Sequence, residues 1–306
     1  MDRFHLMNVY VAVAEEESFA AGARRLGMSP PAVTRAVASL EHRLGVKLLT
    51  RTTRYVRATD AGLRYLELAR RIIALADEAD EAAAGANAAP RGHLGVTAPV
   101  LFGRMFVTPG IVDFLQRYPE VGVSAVFLDR VFNLMEEGLD VGVRIGELPD
   151  SSMRAIPVGQ VHRVVCASPA YLKAHGVPRT PADLLAHTVV AASAVSPSVD
   201  WKFHSGKKPV SIKLAPRLTV TNNDAAIVAA LLGFGVTRLM SYQIAPLLAS
   251  GQLKAVLAEH DTARLPIHVL HLEGGRVSEK VRAFVDLIVA RLRGDKSLGY
   301  APGRAR

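Results

Sequence analysis

The 306-residue sequence contains one cysteine, Cys166, and one tryptophan, Trp201. A single thiol cannot close an intrachain disulfide, which fits a reducing compartment. Charged residues make up only 21 % of the chain and hydrophobic residues 50 %, a balance that excludes a disordered polyelectrolyte. No apolar run approaches the ~18 residues of a membrane span. Met1-Asp2-Arg3-Phe4-His5 lacks the basic stretch and unbroken apolar run of a secretory signal, so a soluble, cytoplasmic chain is expected. Catalytic signatures are also missing. Gly233-x-Gly235 lacks the third glycine of a dinucleotide fingerprint, and no serine flanked by glycines forms a nucleophile elbow. His268 and His271 are three apart in a strand-like run, which points them to opposite faces and excludes chelation by that pair. No cofactor, metal site or enzyme activity is therefore expected.

What is present is an uneven distribution of charge. Residues 18–72 hold eleven Lys and Arg against Glu41, Asp60 and Glu67, a balance of +8 within a chain of net +9. Acidic residues flank the block on both sides: Asp2, Glu15, Glu16 and Glu17 before it, Asp77, Glu78, Asp80 and Glu81 after it. A compact basic region of this kind reads as one cationic face. The clearest break in the chain is the alanine-rich stretch that ends in Gly85, Asn87, Pro90 and Gly92, a helix stop and domain boundary. Length predicts two domains, or three with a small one.

Within the basic block, Asp2 is placed to cap a first helix carrying Phe4, Met7, Val11 and Ala14. Ser18 caps a second helix over 19–26, and Gly27 bends the chain. Ser29 caps a third helix whose first positions, Pro30 and Pro31, lose nothing by lacking an N–H. On this third helix Val33, Val37, Leu40 and Leu44 form the buried stripe. Pro31, Arg35, Ala38 and His42 then point outward, with Thr34 on the flank. A face of small residues with one Arg and one Thr can approach base edges closely. Beyond Gly45, residues 46–59 read as a short hairpin with arginines at 51, 54 and 57, suited to phosphate or minor-groove contacts.

The run Ser18-Phe19-Ala20-Ala21-Gly22-Ala23-Arg24-Arg25-Leu26-Gly27-Met28-Ser29-Pro30-Pro31-Ala32-Val33-Thr34-Arg35-Ala36-Val37-Ala38-Ser39-Leu40-Glu41, followed by Thr59-Asp60-Ala61-Gly62, resembles the winged helix-turn-helix of LysR-type transcriptional regulators. The resemblance continues without a gap to about residue 85. It departs at Gly22, where alanine is common, and at Leu49-Thr50, where Phe and a polar residue are usual. It implies DNA contacts from Ser29, Pro30, Pro31, Thr34, Arg35, Arg51, Thr52, Thr53 and Arg54, with double-stranded promoter DNA as the partner and RNA polymerase as a further candidate.

From Asp60 to Ala84 nothing after Gly62 breaks a helix, giving a rod of about 35 Å at 1.5 Å per residue. Leu66, Ala69, Ile73, Ala76, Asp80 and Ala83 step by three and four, and Leu68, Ile72, Leu75, Ala79 and Ala82 form a neighbouring stripe. A face this broad either packs on its own domain or pairs with a second chain. The resemblance implies an antiparallel dimer, built into tetramers, with Leu66, Ala69, Ile73 and Ala76 on the pairing face.

Beyond Gly92 strands and helices alternate. Strands are expected over 94–98, 121–127, 140–145, 161–168, 188–192, 210–213, 218–221, 236–239 and 267–272. Helices are expected over 103–117, 131–137, 170–175, 224–232, 242–248 and 278–293. That alternation indicates an α/β domain. The runs Val96-Thr97-Ala98-Pro99, Arg117-Tyr118-Pro119-Glu120-Val121, Val143-Arg144-Ile145-Gly146 and Gly233-Phe234-Gly235-Val236 resemble the effector-binding domain of the same family, of the two-lobed periplasmic-binding-protein type.

The expected architecture is thus α/β overall: an all-α winged helix-turn-helix over 1–59, a linker and dimerisation helix over 60–88, and an effector-binding domain over 89–306. Lobe I would comprise 92–161 and 267–296, and lobe II 162–266. The strand leading into Pro99-Val100-Leu101-Phe102 should leave free backbone N–H groups at a helix start, a seat for an anion. The resemblance places Thr97, Ala98, Arg144, Ile145 and Gly146 around it, with Asn222 and Asn223 from the second lobe and Trp201 on the rim. Leu101 stands where many relatives have a hydroxyl residue. The effector this implies is a small carboxylate. The rival readings are a solute-binding protein and a small-molecule enzyme with an accessory helical domain.

Overall fold

The computed structural model describes residues 2–51, 55–84, 89–129, 138–148, 153–192, 199–205, 208–260, 263–272 and 278–299. It divides into a first compact unit that runs to Ala89 and a second that starts at Pro90.

In the first unit, α1 (Arg3–Glu15) begins where the Asp2 carboxylate accepts the Phe4 N–H at 3.3 Å. α2 (Phe19–Arg25) begins on Ser18, whose Oγ accepts the Ala21 N–H at 3.2 Å. Gly27, at φ +61°, makes the bend that a β-carbon would disfavour. α3 (Pro30–Leu44) follows, but Ser29 makes no side-chain cap: Pro30 and Pro31 have no N–H, and the Ala32 N–H donates to the Ser29 carbonyl at 2.9 Å. Val33, Val37 and Leu40 are buried as the stripe requires, whereas Leu44, at the Gly45 end, is 37 % exposed. The departure at Gly22 has a physical reason: a β-carbon there would lie 3.0 Å from Val13 Cγ2, so glycine lets α2 lie close on α1.

The hairpin consists of β1 (Leu49–Arg51) and β2 (Val56–Ala58), antiparallel, with Leu49 opposite Ala58. Its base is tied to α3 by Glu41. This buried carboxylate accepts the Leu48 and Leu49 N–H groups at 2.9 and 3.1 Å and the Lys47 ammonium at 2.7 Å. Thr59 then starts α4 (Asp60–Ala84): its Oγ1 accepts the Gly62 N–H at 3.0 Å and donates to the Lys47 carbonyl at 2.8 Å. Gly62 is irreplaceable on packing grounds, since a β-carbon would sit 2.0 Å from the Leu48 carbonyl oxygen. The Tyr10 hydroxyl donates to the Gly62 carbonyl at 2.9 Å. With α2, α3 and α4 all packed against it, α1 buries Leu6, Val9, Tyr10, Ala12 and Val13 besides Met7 and Val11. The four-residue stripe read from its periodicity is therefore too narrow.

The second unit runs β3 (Gly92–Ala98), α5 (Val100–Phe102), a wide helical turn over Gly103–Val107, α6 (Thr108–Arg117), β4 (Val121–Phe127), β5 (Val141–Ile145), β6 (Met153–Ala167), α7 (Pro169–His175), β7 (Val189–Ala192), β8 (Val199–Ser205), β9 (Lys208–Leu214), β10 (Leu218–Val220), α8 (Asn223–Leu231), β11 (Val236–Met240), α9 (Ser241–Ala249), β12 (Lys254–Val256), β13 (Arg264–Leu272) and α10 (Glu279–Gly294). The helix expected over 131–137 lies outside the described residues. The strands are ordered β10-β7-β11-β6-β13-β5-β3-β4, with β12 beside β6. Lobe I holds the parallel strands β3, β4 and β5, and β13 lies antiparallel to β5. The first part of β6 pairs with β13, and its last part pairs with β11 and β12 in lobe II. One strand thus belongs to both lobes. It begins at Met153, well before the expected 161, and stays paired with β13 across a bulge in which Val158 is the extra residue between Pro157, opposite His268, and Gly159, opposite Ile267.

One face of the lobe I sheet, with Leu94, Val96, Val141 and Val143, packs with Phe114, Phe284 and Ile288 of α6 and α10. Lobe II has two clusters, one around Val165, Trp201, Phe203 and Val236, the other around Val164, Cys166, Ala230 and Leu239. Burial pushes the Cys166 thiol up to about 12, so it is an inert core thiol.

Candidate nucleic-acid interface and effector cleft

On α3 the residues opposite the buried stripe are open to solvent: Ser29, Pro30, Pro31, Arg35, Ala38 and His42 are exposed, and Thr34 is half-buried. Of the hairpin residues expected at DNA, Thr52, Thr53, Arg54 and the side chain of Arg51 lie outside the described residues. The exposed Tyr55 ring carries Arg57 at 5.9 Å from its centroid. Part of the basic charge is spent internally. Arg25 and Arg70 both hold Glu15, at 2.6 and 2.7 Å, and Lys47 holds Glu41. Burial pushes the Glu41 carboxyl up, but Lys47 and the Leu49 and Leu48 N–H groups more than offset that and leave it below its ordinary range.

On α4, Leu66 is 9 % exposed and Ala69 fully buried, both in the core that α1 completes, and Ile73 packs at its edge. Leu66 and Ala69 are therefore corrected to intrachain packing; Ala76 is half-buried. The large apolar residues that α4 leaves open among its described side chains are Leu63, at 56 % exposure, and Leu68, Ile72 and Leu75, at 54, 43 and 63 %, the last three on the neighbouring stripe.

In the second unit the expected cleft residues divide. Ala98, Leu101 and Phe102 are packed into the lobe I core. Pro99 and Val100 are half-buried. The Val100 N–H is not free: the Asp129 carboxylate accepts it at 3.0 Å. Gly146, at φ +111°, donates its N–H to the Pro266 carbonyl at 2.9 Å, and Ile145 beside it is half-buried. Trp201 is only 8 % exposed, within the β8–β9 hairpin core, with Arg238 stacked nearby; it is no rim residue. Asn222 caps α8 by accepting the Ala225 N–H at 2.9 Å.

Thr97 and Arg144 stand on the sheet face away from α6 and α10. Thr97 pairs with Gly142, and Arg144, two residues on, projects from the same side. The Thr97 hydroxyl is fully buried and has no hydrogen-bond partner among the described residues. Burial lowers the pKa of Arg144, whose Nη1 donates to the Val143 carbonyl at 2.9 Å. His268 lies directly across from Arg144 on β13, its pKa lowered by burial against the opposing pull of Glu147.

Where the lobes meet, the sequence pointed to Asn223 but not to its partner Asp129, nor to Arg104, Asp224 and Tyr242. Asn223 donates its amide to Asp129 Oδ2 at 3.2 Å, and Arg104 stands 3.4 Å from the Asp224 carboxylate. Tyr242 of α9 packs edge-on against Phe102 and Phe106 at 5.3 and 5.8 Å between centroids. Burial, countered by the Gln243 amide and assisted by the negative charge of Asp129, pushes the pKa of Tyr242 well above the ordinary tyrosine range. Among the described residues no helix is long and apolar enough to cross a membrane, and no group of three His, Cys, Asp or Glu could hold a metal ion.

Residues 4–63 match the bacterial regulatory helix-turn-helix family of lysR type, and residues 87–293 match the LysR substrate binding domain. A transcriptional regulator of helix-turn-helix type from Xanthomonas campestris pv. campestris is 33 % identical over 303 residues, covering 97 % of this chain and 88 % of its own. The structure of CrgA, a LysR-type transcriptional regulator from Neisseria meningitidis, is 30 % identical, with a TM-score of 0.61 over 95 % of this chain and 99 % of its own. The full-length Vibrio cholerae virulence activator AphB has the same fold at 24 % identity, with a TM-score of 0.61 over 94 % of this chain and 99 % of its own.

Proposed function

The chain belongs to the LysR family of transcriptional regulators, and from that premise we propose that it reads promoter DNA through α3 in response to a small carboxylate. The DNA half rests on one observation above all. A helix whose far side is buried from Val33 to Leu40 presents Pro30, Pro31 and Arg35 to solvent with no bulky acidic residue among them. A helix with such a face can seat deeply in a major groove and place one guanidinium on a guanine edge. Arg51, Thr52, Thr53 and Arg54 would then hold the flanking phosphates. The reading places the protein in the cytoplasm with the promoter and makes RNA polymerase a further partner.

The carboxylate is supported by Thr97 and Arg144. A buried hydroxyl without a partner is costly, and burial works against the charge of a guanidinium. An anion between them would accept from both and favour the charged guanidinium. Dimerisation is supported by the Leu68, Ile72 and Leu75 stripe, with Ile73 and Ala76 at its margin. Burying that stripe in a second copy would remove it from water. The decisive experiment is a footprint on genomic DNA, with and without a library of carboxylates. Protected promoter sites that shift with one carboxylate, and a shift lost in Thr97→Val, are expected. Protection of no specific site would overturn the DNA reading, and a footprint indifferent to the whole library would overturn the carboxylate.

A further inference from the structure

Two side-chain bridges join the lobes at one place. Asp129, just past β4 in lobe I, accepts the Val100 N–H on Oδ1 at 3.0 Å and the Asn223 amide of lobe II on Oδ2 at 3.2 Å. Arg104, four residues beyond Val100 on the same helical run, reaches Asp224, the next residue of α8, at 3.4 Å. The two bridges are thus built from neighbouring positions on one helical run in each lobe. Both Arg104 and Asp224 are well exposed, at 65 and 43 %, and such contacts break at little cost and weaken with salt. The apolar contact between the lobes is of another kind: Tyr242 is 4 % exposed and wedged against Phe102 and Phe106. A buried aromatic contact persists while exposed polar bridges open and close.

We propose that Asp129, supported by Arg104, is a releasable clasp that holds lobe II against the start of α5, with Tyr242 as the pivot beside it. Asp129 does two tasks with one carboxylate. It satisfies the N–H that begins α5, and it carries that helix start to Asn223. Any anion that engages the Val100 N–H must displace Asp129, and displacing it also releases Asn223. Occupancy of the helix start and the angle between the lobes are therefore coupled through one side chain. The regulatory consequence rests on the effector reading above; the clasp does not, and its test adds no ligand.

The test measures the lobe-to-lobe distance in the full-length protein with nitroxide labels at Gln116→Cys in α6 and Gln252→Cys just before β12, both exposed positions. Cys166, fully buried, escapes labelling. Labelled chains are diluted in unlabelled protein so that only distances within one chain are read. Asp129→Ala and Asn223→Ala should each broaden and lengthen the distance distribution by a similar amount. The double variant should add nothing, because both substitutions cut the same bond. Arg104→Ala should do less, and high salt should reproduce it. Hydrogen exchange at Val100 should accelerate several-fold in Asp129→Ala. Parental distances in both single variants, or effects that sum in the double variant, would overturn the clasp. Asn223→Ala, which leaves lobe I untouched, keeps the test decisive if Asp129→Ala disturbs the fold.

Discussion

The starts of α3 and α5 are both led by proline, and they are used in opposite ways. At α3, Pro30 and Pro31 are exposed, Ser29 is left out of capping, and the polar side chains nearby are spent on the frame: Ser18 on α2, Glu41 on the hairpin, Thr59 on α4. At α5, Pro99 is half-buried and the first N–H is already taken by Asp129. A surface meant for a large partner can stay open, because water satisfies it until the partner arrives. At the start of α5 a carboxylate of the chain itself holds the first N–H, so a ligand there has to displace a protein group rather than water.

The contrast breaks most severely at Gly62. Gly62→Ala would drive a β-carbon into the Leu48 carbonyl at 2.0 Å and should cost about 3 kcal/mol or more through overpacking. Calorimetry should show the first unit melting early while the second keeps its transition; a melt identical to the parent would mean that α4 can shift at no cost. Next comes the open face itself. Arg35→Ala should leave that melt unchanged and weaken binding to a specific promoter site by ~1–3 kcal/mol, read in a titration against specific and random DNA. Equal losses on both DNAs would reassign Arg35 from base to phosphate.

A smaller effect should appear in acid. The Glu41 carboxyl is held below its ordinary range in the fold. Its stabilising contribution is therefore complete above the unfolded glutamate value, about 4.3, and is lost as pH falls through the lower folded value. Urea midpoints taken from pH 7 to pH 3 should drop more steeply for the parent than for Glu41→Gln, which starts lower at neutral pH. Parallel curves would remove Glu41 from the acid response. The smallest effect concerns the enclosed region. Trp201, the sole tryptophan and 8 % exposed, should emit at short wavelength and resist iodide. Red-shifted, readily quenched emission would return it to a cleft rim.

The legibility of the sequence follows the range of the interactions. The first unit could be read because its signals are local: a serine before each of two helices, a glycine at the bend, prolines at the third helix start, and a stripe at helical spacing. Its failures concern who covers what. Leu66 and Ala69 carry the correct periodicity, yet no periodicity tells an own-domain face from a partner's face. The alternation of Val199, Trp201 and Phe203 was available as a strand signal and places Trp201 inward, whereas a lone tryptophan read without its strand looks like a rim residue. Asp129 could not be read at all. Its two partners lie 29 and 94 residues away, and nothing in Leu128-Asp129-Arg130 marks it.

The Glu41 tie fixes more than a turn. Because one buried carboxylate anchors the first strand of the hairpin to α3, the span between α3 and the hairpin base is set by three hydrogen bonds rather than by a flexible loop. On the proposed DNA reading that span is a rigid gauge for groove spacing. A duplex whose grooves do not match that gauge must itself deform, and sequences that bend easily gain an advantage at base pairs that no side chain touches.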